Sequence, residues 1–309
     1  MKLATAVFLS FAGCPPLLGT PPNTVALSSS EKSDKIEARV YEQNDSSLWE
    51  TVFFNPPPQD SPKEPDLPKL SPDLSWKLIF EDDFLTEKID ENKWRIRNEY
   101  PRKGGFWLKE MVSLDGQGNL SLTIDQQTDP DTGSLRKVGG SLDTKGIFEQ
   151  KYGFFSCRCR LANFNGCGYH YSFWLQSPTT SNVGNEGRDG TEIDVFEKFK
   201  SDDSIQHALH WDGYREHHRS ASAKFSWPGI KEGFHTFSVE WTPDYYQFYV
   251  DGVKTWKTTA GGVSQVPAYL RLTIEFSEGW NGAISNAQLP DHFVIDWVRV
   301  YEKTKNHSN

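Results

Sequence analysis

No apolar run in the 309 residues reaches the roughly 18 that a membrane-spanning helix needs. Basic residues are in deficit: 33 Lys and Arg face 42 Asp and Glu, a net charge of −9. That balance argues against nucleic acid or an anionic membrane surface as the main partner. Proline is scarce over most of the chain, because eleven of the 18 precede Leu74. A breaker-rich head is therefore followed by a foldable body. Sustained helical or heptad periodicity is missing as well, which excludes a coiled-coil rod. What the chain has in plenty is aromatic residues, 14% with 11 Trp, too many for a disordered chain and enough for a large core.

The head divides in two. Lys2 precedes the apolar run Leu3 to Gly13, so residues 1–14 read as a signal peptide and the protein is expected to be exported. Phe11-Ala12-Gly13-Cys14 resembles the lipobox of bacterial lipoproteins, with Phe at the first position and Pro15 after the Cys as departures. The two outcomes are a secreted protein and a cell-surface lipoprotein anchored through Cys14. Residues 15–73 are rich in Pro, Ser, Glu, Asp and Lys, with scattered Trp49, Phe53 and Phe54, and read as a linker. Setting Cys14 aside leaves an odd set, Cys157, Cys159 and Cys167. In a strand Cys157 and Cys159 share a face, either could reach Cys167, and one thiol would stay free.

Residues 74–302 read as strands: short segments such as Tyr152 to Leu161, His170 to Gln176 and Phe234 to Trp241, separated by Gly, Asp, Asn and Pro. Val250-Asp251-Gly252-Val253 is a two-residue hairpin signal. The expected class is all-β, a two-sheet antiparallel sandwich, with 303–309 as a tail.

Gly190-Thr191-Glu192-Ile193-Asp194-Val195-Phe196-Glu197 carries the most information. Alternation places Glu192 and Asp194 on one face and would turn Glu197 into the apolar layer, at a cost to a carboxylate. One extra residue at Val195-Phe196, a β-bulge, returns Glu197 to the face of Glu192. Three carboxylates in a row repel one another, which a structural role scarcely requires. A pair of carboxyl groups is what glycoside hydrolysis uses, one attacking the anomeric carbon and one protonating the leaving oxygen.

This segment resembles the active-site signature of glycoside hydrolase family 16 in its bulged form, that of laminarinase-, agarase- and carrageenase-like members. Phe80 to Phe84, Gly118-Asn119-Leu120, Tyr152 to Phe155 with Arg158, Phe173-Trp174-Leu175, His210-Trp211, Glu240-Trp241 and Asp296 to Tyr301 also fit. Ser156 stands where that family often has Glu. The resemblance implies a concanavalin-like β-jelly roll with an open concave cleft. It implies Glu192 as nucleophile, Asp194 as assisting carboxylate and Glu197 as general acid/base of a configuration-retaining endo-glycosidase. The expected substrate is a β-1,3-glucan or mixed-linkage glucan. The alternatives are the same chemistry on a red-algal galactan and a lectin-like module that binds without cutting.

The resemblance also places Trp174 in the cleft, with a core position as the alternative, and sets His210 and Trp211 beside the triad. Trp107 and Trp280, in Gly-flanked loop-like contexts, are candidate sugar platforms, and Glu275 either faces the cleft or anchors a buried network. Asp296 matches a position that holds a structural calcium in relatives. The charged run Tyr214 to Arg219 reads as a solvated loop or as basic groups for an acidic sugar. No cofactor is expected to be required, and a monomer is the expected state.

Overall fold

Alternating apolar and polar residues become strands wherever one face can be buried, and this chain supplies that pattern at least as far as Lys305. The structure, a computed structural model, describes the backbone of 36–42 and 49–54 and, with side chains, residues 64–161, 164 and 166–306. The signal expected at 1–14, Cys14 included, lies outside the described residues.

Two sheets make the body, and the all-β expectation holds. A nine-stranded sheet runs Trp49–Phe54, Ile36–Glu42, Arg219–Ser226, Ser204–Trp211, Glu192–Lys198, Tyr169–Gln176, Tyr269–Phe276, Ser141–Asp143, Arg95–Ile96. An eleven-stranded sheet faces it, built around Phe234–Trp241, Gly153–Arg160, Asp291–Lys305 and Leu120–Thr128. Pairing is antiparallel except where Gly105–Trp107 lies parallel to Leu135–Gly139. The helices among the described residues are three short 3-10 turns. Asp251 and Gly252, at φ 49° and 77°, close the predicted hairpin, in the positive-φ region a type I′ turn requires.

The core lies between the sheets. Phe196, from the strand that carries the acids, stacks on Phe237 of the facing sheet with ring centroids 4.1 Å apart and meets Phe293 edge-on at 5.8 Å. Aromatic pairs of this kind add about 0.5–1.5 kcal/mol beyond their burial, so the site strand is held from behind by packing.

Three sequence expectations need correction. Within the expected linker 15–73, residues 36–42 and 49–54 form a hairpin that pairs with Arg219–Ser226 and widens the first sheet. The alternation Ile36-Glu37-Ala38-Arg39-Val40 is the strand signal that the surrounding polar composition hid. Nearer the body, Trp76 Nε1 donates to the Pro68 carbonyl at 2.8 Å and Arg299 pairs with Glu64 at 2.6 Å, so this stretch is docked. Of the expected tail, Lys303, Thr304 and Lys305 continue the last strand opposite Trp76, Ser75 and Leu74. Cys157 and Cys159 are both free and buried in the core, so neither pairs with Cys167.

Candidate active site

The Glu192–Lys198 strand sits between Tyr169–Gln176 and Ser204–Trp211, and both registers slip at the same place. Phe173 opposes Phe196 and Trp174 opposes Asp194, leaving Val195 without a partner residue on that side. On the other side Asp194 opposes Ala208 and Glu197 opposes Gln206, so two residues span what His207 spans alone. The bulge therefore sends Val195 and Phe196 both into the core and brings Glu197 back to the face of Glu192 and Asp194. The Val195 carbonyl accepts from His207 Nδ1, and His207 Nε2 meets Thr255 Oγ1 at 2.9 Å. Burial pulls the His207 pKa down to about 3, so a neutral ring holds the bulge.

Each acid has its own partners. Glu197 meets His170 Nε2 at 3.3 Å and accepts from Gln206 Nε2 at 3.1 Å. Asp194, 3% exposed, has His210 Nε2 3.3 Å from its Oδ2. Burial pushes the Asp194 pKa well up, the charges of Glu197 and Glu192 add to that, and His210 opposes them. Burial pulls His210 down, but the Asp194 hydrogen bond and the carboxylate charges prevail and raise it to about 9. His210 Nδ1 lies 2.9 Å from His218 Nε2, and burial followed by the His210 charge lowers His218. A charged His210 donating to a neutral His218 fits both shifts. Glu192 accepts from the Tyr214 hydroxyl and, at 3.5 Å, from Gln176 Nε2. One ligand atom each from Glu192, Asp194 and His210 lies within 4.8 Å of the others, but a charged His210 has no lone pair to offer a cation.

Residues 103–299 match the profile of the family described as Glycosyl hydrolases family 16. The chain belongs to that family. The keratan-sulfate endo-1,4-beta-galactosidase of Sphingobacterium multivorum is 28% identical over 245 residues, 74% of this chain and 55% of that protein. This chain thus spans about half the length of that relative. Beta-porphyranase B of Zobellia galactanivorans is 25% identical over 260 residues, covering 75% and 86%. Among solved structures, the laminarinase catalytic domain of Thermotoga maritima superposes with a TM-score of 0.62 at 25% identity, over 74% of this chain and 98% of that one. As a member of family 16 the protein is a glycoside hydrolase, and its sandwich is the family's jelly roll.

The remaining expected residues of this family 16 domain divide by burial. Trp174 is on the triad's face but covered: Arg271 lies 4.0 Å above its ring and its Nε1 donates to Thr273 Oγ1 at 3.0 Å. Trp107, expected as a platform, is 0% exposed, with Nε1 donating to the Ile274 carbonyl at 2.8 Å. Its short strand folds it inward against Tyr100, so it is floor and not surface. Trp211 is also corrected. It alternates away from His210 into the core, under Gly261, where a Cβ would lie 2.5 Å from the ring. Trp280 is 59% exposed, 6.4 Å from the His170 ring that touches Glu197, with Lys103 Nζ 5.0 Å above it. Glu275 anchors a buried network: Arg102 Nε is 2.7 Å away and Lys103 Nζ 3.5 Å. Burial opposes its charge, but those two cations prevail and bring it down to about 2. The Asp296 carboxylate, expected on calcium, is ion-paired with Arg158 through Oδ2. Arg188, just before the triad strand, pairs with Glu186.

Sequence reasoning gave Tyr214 only as the head of a charged run. Asp212-Gly213 just before it signals a turn, but nothing in the sequence says where that turn points Tyr214.

Proposed function

We propose that this protein hydrolyses internal β-linkages of a polysaccharide by double displacement. Glu192 attacks the anomeric carbon while Glu197 gives its proton to the leaving oxygen. Glu197 then takes a proton from the water that releases the glycosyl-enzyme. Asp194, buried between the two glutamates with its pKa raised, limits their mutual repulsion. The observation behind this reading is the bulge, which sets three carboxylates on one face while giving the two glutamates different hydrogen-bond partners. A β-1,3-glucan is the first reading for the polymer.

A second reading, a galactan with anionic substituents, is favoured by the cations on the Tyr269–Phe276 side of the triad. Arg95 and Arg97 lie there on Asp143, Arg102 and Lys103 on Glu275, Lys145 over Tyr269 and Arg271 over Trp174. Laminarin, lichenan, agarose, porphyran and carrageenans, incubated with wild type and Glu192→Gln and the products sized, test both readings. Oligosaccharides from one polymer with wild type only support the mechanism and name the polymer. Full turnover by Glu192→Gln refutes the assignment. Export through residues 1–14, with Cys14 as a lipid anchor, belongs to the same proposal, and fractionation of expressing cells tests it.

A further inference from the structure

The hydrogen bonds around Gln176 leave one consistent set of directions. Its Oε1 accepts from the Tyr269 hydroxyl at 2.6 Å and from Arg271 Nη1 at 3.0 Å. A guanidinium only donates, so the amide oxygen must face Arg271 and the amide nitrogen must face the other way. That nitrogen donates to the Tyr214 oxygen at 2.7 Å. Tyr214 has one hydrogen, and with its oxygen accepting from Gln176 that hydrogen goes to Oε2 of Glu192. Arg271 is itself clamped, buried over the Trp174 ring, so the orientation begins at a fixed point.

The loop that presents Tyr214 is built for the reach. Asp212 and Gly213, at φ 57° and 75°, reverse the chain directly after Trp211, and the Gly213 amide is tied to the Thr180 carbonyl at 2.9 Å. Four residues on, the His218 ring stacks on His210 with centroids 5.0 Å apart. Tyr214 is half exposed, so its ring belongs to the wall of the site and not to the core. Burial of the hydroxyl and the Glu192 charge push the phenol pKa upward, so it remains a donor at any working pH.

We propose that Tyr214 is a positioning residue for the nucleophile: directed by Gln176, it holds Oε2 of Glu192 as an acceptor, so that Oε1 is the oxygen that attacks. This rests on the proposed role of Glu192. In the first step Oε1 bonds to the anomeric carbon, the bond to the leaving oxygen breaks and the Glu197 proton goes to that oxygen. In the second step water adds to the anomeric carbon and its proton returns to Glu197. The bond to Oε1 breaks, and the carboxylate charge that reappears is received again by the Tyr214 O–H. The tyrosine proton is never transferred.

Tyr214→Phe keeps the ring and removes the donor. On a polymer that the wild type cleaves, kcat is expected to fall about 10- to 100-fold, the range of one hydrogen bond to a charged group, with KM within about twofold. Gln176→Leu should give a similar loss, and the double variant little more than either, because the two act in series. Loss confined to KM would make Tyr214 a sugar contact and overturn the proposal, as would an unchanged kcat. A readout that needs no sugar separates this from failure of the polymer assignment. Tyr214 covers Oε2 of Glu192, so labelling of Glu192 by a water-soluble carbodiimide, mapped by mass spectrometry, should accelerate several-fold in Tyr214→Phe, where that oxygen is freed. Equal labelling rates in the two proteins overturn the proposal whatever the substrate.

Discussion

Replacing His210 by Gln removes a charge the folded protein holds far more tightly than the unfolded chain does. The His210 pKa is raised from 6.5 to about 9 in the folded state. A folded value above the unfolded one means stabilisation fully present below about pH 6.5 and lost as pH rises through about 9. The gap of about 2.5 units corresponds to on the order of 3 kcal/mol, at roughly 1.4 kcal/mol per unit. The His210 side chain is 23% exposed, so solvent screening leaves most of this in place. Gln keeps a polar N–H group at this position but cannot be charged. Urea unfolding of wild type and His210→Gln at pH 5.5 and pH 9.5 reads the difference directly. The wild-type advantage should shrink by about 2–3 kcal/mol between the two pH values, or several degrees in melting temperature for a domain this size. An advantage that stays constant with pH would refute the reasoning, because it would mean that His210 contributes packing and not charge.

Two tryptophans that look alike in sequence should behave oppositely. Trp107→Ala is expected to destabilise by about 3–5 kcal/mol in denaturant titration, since the ring is fully buried. Trp280→Ala should leave stability within about 0.5 kcal/mol and instead raise KM for the polymer by about 2- to 10-fold. Deleting Val195, the residue both registers skip, leaves a regular run in which all three acids keep one face, but it draws Glu197 closer to Asp194, removes an apolar side chain from the core and removes the carbonyl that His207 holds. Loss of stability and activity together is expected, and a stable, active deletion variant would show that the bulge is dispensable.

The catalytic strand was readable in the sequence because strand alternation is rigid. A third acid at Glu197 was on the wrong face, and only an inserted residue repairs that without burying a charge. The same parity, applied to His210 and Trp211, says that adjacent residues cannot both face the sugar, and Trp211 is indeed in the core. For Glu275 the choice between the cleft and a buried network stayed open, because alternation gives its face but not the cations of Arg102 and Lys103 that come to it from a distant hairpin. The inward fold of Trp107 was not legible, because it depends on a three-residue strand pairing with Leu135–Gly139, far along the chain. Nor was the placement of Tyr214 on Glu192, which depends on two consecutive positive φ angles that no periodicity announces. The 36–54 hairpin escaped notice because proline, serine and charged residues around it dominate the composition.

The configuration of the first product tests the central claim most directly, that Glu192 forms a covalent bond to the sugar and Glu197 serves both steps. Proton NMR of the earliest hydrolysis, before mutarotation mixes the anomers, resolves the α and β signals of the new reducing end. Two successive displacements return the starting configuration, so the β anomer should appear first. Initial release of the α anomer would mean a single displacement by water, and the roles assigned to Glu192, Glu197 and Tyr214 would all be contradicted.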